Sequence, residues 1–216
     1  MELKAVLFDL DGVLVDSESI SREASDTVLA RHGIFLEDEE RTLVFGRRTI
    51  DNYRRHVERR GLDLDPQKLV EEKVEYYNKL IKGRLKPLPG VLDLLGALDD
   101  AGLMKAVVSS SPLDRVNASL EEVGLLLEFE VILSGDCCVK GKPDPEPFLL
   151  AAERLGVKPS ECVVIEDAEA GVLASKAAGI SVVAIKSPNT HSQDLSSADR
   201  IVKSLTEVDL ELLRSL

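Results

Sequence analysis

The chain is predicted to be an α/β protein: a doubly wound parallel sheet with an all-helical unit inserted after its first strand. Three observations predict this. Short apolar runs recur without alternating polar residues, which marks strands buried on both faces. Helical patterns separate most of them, as parallel connections require. The rule breaks once, between Asp16 and about Lys86, where charged amphipathic helices follow one another without a convincing strand.

Strands are expected at 5–8, 105–109, 131–133, 162–165, 182–185 and 201–202, and sheet-covering helices at 90–101, 112–123, 145–155 and 168–178. The inserted helices are expected at 18–31, 37–44, 50–60 and 66–81, with Gly33 and Gly61 as C-terminal stops. Pro87-Leu88-Pro89-Gly90 then resets the chain. The sheet domain is therefore assigned to 1–16 and 87–216, and the helical unit to 17–86. A core of roughly 150 residues plus a smaller insertion fits the usual size of domains. Aromatic residues make up only 4% and there is no Trp, so Leu, Val, Ile and Ala must fill the core.

A formal charge of −12, from 27 basic and 39 acidic residues, opposes nucleic acid as the main partner. It leaves room for a small phosphorylated ligand, which needs only a divalent cation and one or two basic side chains. The cysteines (Cys137, Cys138, Cys162) are odd in number and lack metal-ligand spacing. No signal-peptide pattern or membrane-length apolar segment is found, so a cytoplasmic protein with no membrane partner is the expectation. His32, His56 and His191 lie far from one another and from any candidate nucleophile. That argues against a Ser-His-Asp or Cys-His mechanism.

The chemistry gathers where strands end. The run Ala5-Val6-Leu7-Phe8 stops at Asp9-Leu10-Asp11-Gly12. In extended chain, i and i+2 share a side, so Asp9 and Asp11 sit together while Leu10 turns to the core. Paired carboxylates repel, and a fold that keeps them needs a cation nearby. Val107-Val108 runs into Ser109-Ser110-Ser111-Pro112, where Ser111 is expected to cap the next helix. Lys140 and Lys142 lie on a proline-restricted loop, and Val163-Val164-Ile165 ends in Glu166-Asp167. Open parallel sheets bind ligands at this edge. Each feature has a plain alternative when taken singly: Ser109 as a turn residue, Lys142 as a solvated loop lysine, Glu166 and Asp167 as acids favoured by a helix dipole. Their common placement at strand ends favours a hard-cation site beside a phosphate pocket.

These residues resemble the motifs of the haloacid dehalogenase superfamily, in the subgroup with a helical cap after the first strand. Phe8 to Glu18 resembles the first motif, Ser109 the second, Lys142 in Gly-Lys-Pro-Asp-Pro the third, and Glu166-Asp167 the fourth. The resemblance implies a Rossmann-like core and a hydrolase using Mg²⁺. It implies Asp9 as the nucleophile that forms an aspartyl-phosphate, and Asp11 as the acid and base. It further implies Asp9, the Asp11 carbonyl and Asp167 around the metal, with Glu166 assisting directly or through water, and Ser109, the Ser110 amide and Lys142 on the phosphoryl oxygens. An acid at position 11 points to phosphate monoester hydrolysis or sugar-phosphate isomerisation.

The cap favours a phosphatase. The β-phosphoglucomutase subgroup carries a cap histidine where Ser21 stands here, and its arginine beyond the cap glycine is displaced to Arg47 and Arg48, after Gly46. Arg47 or Arg48 is expected to touch a second anionic or hydroxylated part of the substrate, or else to be a solvated helix-start arginine. The expected function is a Mg²⁺-dependent phosphatase of small phosphorylated metabolites, most naturally sugar phosphates. The rivals are a β-phosphoglucomutase-like phosphomutase and a catalytically silent regulatory or scaffold protein. The sequence leaves the oligomeric state open, a monomer being compatible with it.

Overall fold

Strand alternation divides the apolar residues between two sheet faces, and both are buried. Val6, Phe8, Val107, Val163 and Ile165 belong to one core, while Ala5, Leu7, Ala106, Val108 and Val164 belong to the other. The computed structural model describes residues 2–37, 40, 45–187 and 193–216. Its strands are β1 (Ala5–Phe8), β2 (Met104–Val108), β3 (Val131–Leu133), β4 (Cys162–Glu166), β5 (Ser181–Ile185) and β6 (Arg200–Val202). They form one six-stranded sheet in the order β3-β2-β1-β4-β5-β6, with every pairing parallel.

The helices are α1 (Glu18–Arg31), α2 (Thr49–Arg60), α3 (Pro66–Leu80), α4 (Val91–Asp100), α5 (Leu113–Glu122), α6 (Glu146–Leu155), α7 (Glu169–Ala177) and α8 (Leu210–Arg214). Val91 and Leu94 of α4, Val116 and Leu120 of α5 and Leu213 of α8 cover the Phe8 face. Phe148 of α6 and Val172 of α7 cover the Leu7 face. Helices α1, α2 and α3 share a cluster of their own, built on Val28, Leu29, Tyr53, Val57 and Leu69. Gly61 ends α2 at φ +59, a left-handed conformation that glycine adopts without a Cβ clash.

Expected and observed elements agree to within a residue or so at each end. The short helix α8 was not expected, and most of the helix expected at 37–44 lies outside the described residues. Leu88 N donates to Leu14 O at 3.0 Å and Asp16 N to Lys86 O at 3.1 Å, so the segments entering and leaving the helical unit run side by side. Among the described residues, no helix is long and apolar enough to cross a membrane.

One expectation about a helix start is corrected. Ser111 does not cap α5, whose N-cap is Pro112. The Leu113 amide instead donates to Asp136 Oδ2 at 2.8 Å. The Ser111 hydroxyl is drawn inward, where it donates to the Asp11 carboxylate at 3.1 Å.

Candidate active site

β1 is where the strand order reverses, with β2 on one side and β4 on the other. Such a switch point opens a crevice beyond the carboxyl ends of the strands. Phe8 is in register with Val107 and Ile165, so the chains leaving these strands bring Asp9, Ser109 and Glu166 to one edge.

Asp9 is 8% exposed. Its Oδ1 accepts from Lys142 Nζ at 2.6 Å, and no donor among the described residues reaches Oδ2. Lys142 also donates to Glu166 Oε1 at 2.6 Å and to the Val108 carbonyl at 2.8 Å. Burial works against its charge, but Asp9 and Glu166 outweigh that and hold the ammonium well above its ordinary pKa. Burial raises the Asp9 pKa and Lys142 pulls it back, while Glu166 and Asp11 push it up again.

An ammonium has three N–H donors, and those of Lys142, expected on the phosphoryl oxygens, reach Asp9, Glu166 and the Val108 carbonyl, which makes it the counter-ion of Asp9. Glu166, expected to assist the metal directly or through water, has both oxygens engaged within the protein: Oε1 by Lys142, and Oε2 by the amides of Asp167 and Ala168 at 2.8 Å each. It holds the lysine and the start of the next turn.

Asp167 is different. It is 2% exposed, lines the cavity, and no donor among the described residues reaches its carboxylate. Burial, then Glu166, Asp9 and Asp11, raise its pKa well above the ordinary range. Gly12 makes this approach possible: it sits at φ +80, and a Cβ there would come within 2.8 Å of Asp167 Cγ. A buried carboxylate without a hydrogen bond is costly unless a cation compensates it. Among the described residues, no group of three acidic, His or Cys side chains is gathered to hold a metal alone. Mg²⁺ does not need one, because it binds through one or two carboxylates, keeps several waters and uses substrate phosphate. Asp9, Asp167 and the Asp11 carbonyl fit that requirement.

The Asp11 side chain is turned to other partners. Arg115 grips it bidentately, Nη1 to Oδ2 and Nη2 to Oδ1, both at 2.7 Å, and the Ser17 hydroxyl also donates to Oδ1. Burial would raise the Asp11 pKa, but Arg115, Ser17 and Ser111 prevail and hold it low. The Asp11 side chain is thus a paired anion here, and its carbonyl is the group expected to meet a metal. Arg115 is 3% exposed and lies 4.2 Å from the centre of the Tyr77 ring.

Ser110 and Ser111 line the cavity, and the buried Ser109 does not. The Ser109 oxygen accepts from the Ser111 amide at 3.1 Å. The Ser110 hydroxyl donates to Gly46 O of the helical unit at 2.9 Å, while its amide is the group expected near phosphate. Of the two arginines after Gly46, Arg47 is exposed and lines the cavity. Arg48 does not line it. Its guanidinium is committed to Asp51 and the Cys138 carbonyl, so of the two expected substrate contacts only Arg47 borders the cavity.

The cavity between sheet edge and helical unit measures about 520 Å³. Its floor carries Asp9 and Asp167, and its far wall carries Ser21, Ser25, Asn52, Tyr53 and Lys73. Lys73 is 8% exposed, and its ammonium, 6.0 Å from the Tyr53 ring centre, has no hydrogen bond or ion pair among the described residues. Burial, followed by the Arg115 charge, pulls its pKa down to about 8.

The model of haloacid dehalogenase-like hydrolases matches residues 3–179. The chain belongs to this family. Hexitol phosphatase A of Escherichia coli (strain K12) is 34% identical, over 96% of this chain and 94% of its own. Beta-phosphoglucomutase of Bacillus subtilis (strain 168) is 33% identical, over 98% and 94%. A crystal structure of a CbbY variant from Rhodobacter sphaeroides, in complex with xylulose-(1,5)bisphosphate, superposes with a TM-score of 0.90. It is 28% identical, covering 98% of this chain and 99% of that one. The expectation of a haloacid dehalogenase-like hydrolase is met, and with it the enzyme class, a phosphoric monoester hydrolase.

Two site residues of this haloacid dehalogenase-like hydrolase went unread in the sequence. Arg115 sits on the buried face of α5 with Val116, Ser119 and Leu120, and Lys73 on the buried face of α3 with Leu69, Val70 and Tyr77. A charge within an apolar helical stripe was the available signal for both.

Proposed function

We propose that the protein is a Mg²⁺-dependent phosphatase of small phosphorylated metabolites, preferentially sugar phosphates, acting through a phosphorylated Asp9. The observation that carries this reading is the Asp9 carboxylate: one oxygen is held by Lys142 at 2.6 Å, and the other is left to the cavity beside unpaired Asp167. Burial pushes the Asp9 pKa up to about 7, and Lys142, together with a bound divalent cation, would favour the carboxylate form, which needs no base to activate it. In the first step Asp9 Oδ2 bonds to phosphorus. The bond from phosphorus to the leaving oxygen breaks, and Asp11, turned away from Arg115 and carrying a proton, donates that proton to the leaving oxygen. In the second step water attacks the phosphorus, Asp11 takes its proton, and the bond to Asp9 breaks to release phosphate. Bound Mg²⁺ supplies charge neutralisation and orientation of the phosphoryl group.

The hydroxyl and amide groups of Ser21, Ser25, Asn52 and Tyr53 on the far wall support a polyhydroxylated leaving group, with Lys73 and Arg47 as further donors. Residues 17–86 act as a cap that closes over the substrate and excludes water. A phosphomutase is the second reading, favoured by the beta-phosphoglucomutase relative. Ser21 opposes it, presenting a hydroxyl to the cavity where that subgroup carries histidine.

The test is phosphate release from a panel of phosphomonoesters with Mg²⁺. Asp9→Asn should lose about a thousandfold or more in kcat while remaining folded. Near-normal turnover by Asp9→Asn would refute the nucleophile. Conversion of a hexose 1-phosphate to its 6-phosphate, with a trace of bisphosphate, would favour the mutase.

A further inference from the structure

Arg48 reaches from the helical unit to the loop that carries Lys142. Its Nε and Nη2 donate to Asp51 Oδ2 and Oδ1 at 2.7 and 3.2 Å, which fixes the plane of the guanidinium. The remaining Nη1 donates to the Cys138 carbonyl at 2.9 Å. The stem of the side chain lies against Gly141, where a Cβ would come within 2.7 Å of Arg48 Cγ, 2.8 Å of Cδ and 2.9 Å of Nε.

Gly141 is not among the glycines with positive φ, so its own backbone accepts alanine. What a Cβ would disturb is the seat of Arg48. Gly141 immediately precedes Lys142, and Lys142 spans Asp9 and Glu166. A side chain of the helical unit therefore bears on the outer surface of the loop whose inner end holds the counter-ion of Asp9.

We propose that Arg48 is a positioning residue: seated on Gly141 and bonded to the Cys138 carbonyl, it fixes the 138–142 loop and thereby holds Lys142 against Asp9. This rests on the reading of Asp9 as nucleophile. Arginine suits the task because its planar fork binds Asp51 with two N–H groups and keeps another for a carbonyl, whereas a lysine ammonium offers no fixed plane. Displacing reacting groups by about 1 Å can cost on the order of a hundredfold in rate. Arg48 does not line the cavity, so its loss should act on kcat rather than on substrate affinity.

The experiment is a double-mutant cycle of Arg48→Ala and Gly141→Ala, with kcat and KM for a phosphomonoester and backbone hydrogen exchange over residues 138–142. Each single change should lower kcat by about tenfold or more, with KM within about twofold, and should speed exchange in that loop. The double variant should be no slower than the worse single, because without the arginine a Cβ at 141 displaces nothing. Arg48→Lys should fail to restore kcat. Full activity in Gly141→Ala, or losses that multiply in the double variant, would overturn the proposal. If Gly141→Ala does not fold, Asp51→Ala takes its place, because it frees the same fork. Wild-type protein without phosphatase activity would refute the functional reading alone. The exchange comparison would still decide whether Arg48 orders the loop, and unchanged exchange in Arg48→Ala would sink the idea.

Discussion

Arg115 binds both carboxylate oxygens of Asp11 at 2.7 Å, and Ser17 and Ser111 add their hydroxyls to the same group. The residue assigned to proton transfer is thus parked as a well-paired anion, with the Tyr77 ring of α3 against the arginine. Removing one partner of a fully buried pair leaves the other charge uncompensated, which costs about 3–5 kcal/mol. The Asp11 side chain is 28% exposed, so Arg115→Met is expected to lose stability by less than that in urea unfolding. Arg115→Lys should recover only part of it, because an ammonium cannot make the bidentate contact. Equal stability of Arg115→Met and wild type would show that the pair contributes nothing.

Lys73 predicts a pH dependence with a definite sign. Its pKa falls from 10.5 unfolded to about 8 in the fold, so the unfolded chain binds more protons between those values. Stability should therefore rise as pH increases from about 8 to 10.5, and the full cost, about 3 kcal/mol, should be present below that window. Lys73→Met should be more stable than wild type at pH 7, by an amount that shrinks at high pH. The same variant should bind substrate more weakly and show a raised KM. A pH-independent stability difference between the two proteins would contradict this.

Asp167 predicts the response to metal. Its raised pKa means that the fold disfavours the carboxylate, so without metal stability should fall as pH rises above the ordinary carboxylate range. Asp167→Asn should remove that fall and make the metal-free protein more stable, by about 1–3 kcal/mol. Mg²⁺ should raise the melting temperature of wild type and leave that of Asp167→Asn nearly unchanged. An equal rise in both proteins would place the metal elsewhere.

Chelation offers a separate check. EDTA should abolish phosphate release, and added Mg²⁺ should restore it, with the cation supplying the charge that Asp9 and Asp167 lack in each other's company. Activity that survives exhaustive chelation would exclude a required divalent ion.

The sequence carried most of the sheet because its signals are local. Unbroken apolar runs such as Ala5–Phe8 need both faces covered, which makes the sheet interior, and the helical patterns between them make it parallel. Asp9 and Asp167 were legible for the same reason, since each follows a buried strand directly. Ser111 was misread because a local rule, the N-cap, competed with a partner a hundred residues away in sequence, Asp11. Asp136 then took the vacated capping role from across the loop.

By itself the sequence determined the fold class, the inserted helices α1, α2 and α3 and the set of acids at the strand ends, all of which follow from periodicity and spacing along the chain. Only the tertiary structure decided how those charges pair. Lys142 faces Asp9 and Glu166, Arg115 faces Asp11, Arg48 rests on Gly141, and Asp167 is left without a donor. The reason is that a buried charge is satisfied by whichever group the packing brings within about 3 Å, and one-dimensional spacing says nothing about contacts between residues that lie far apart in the chain.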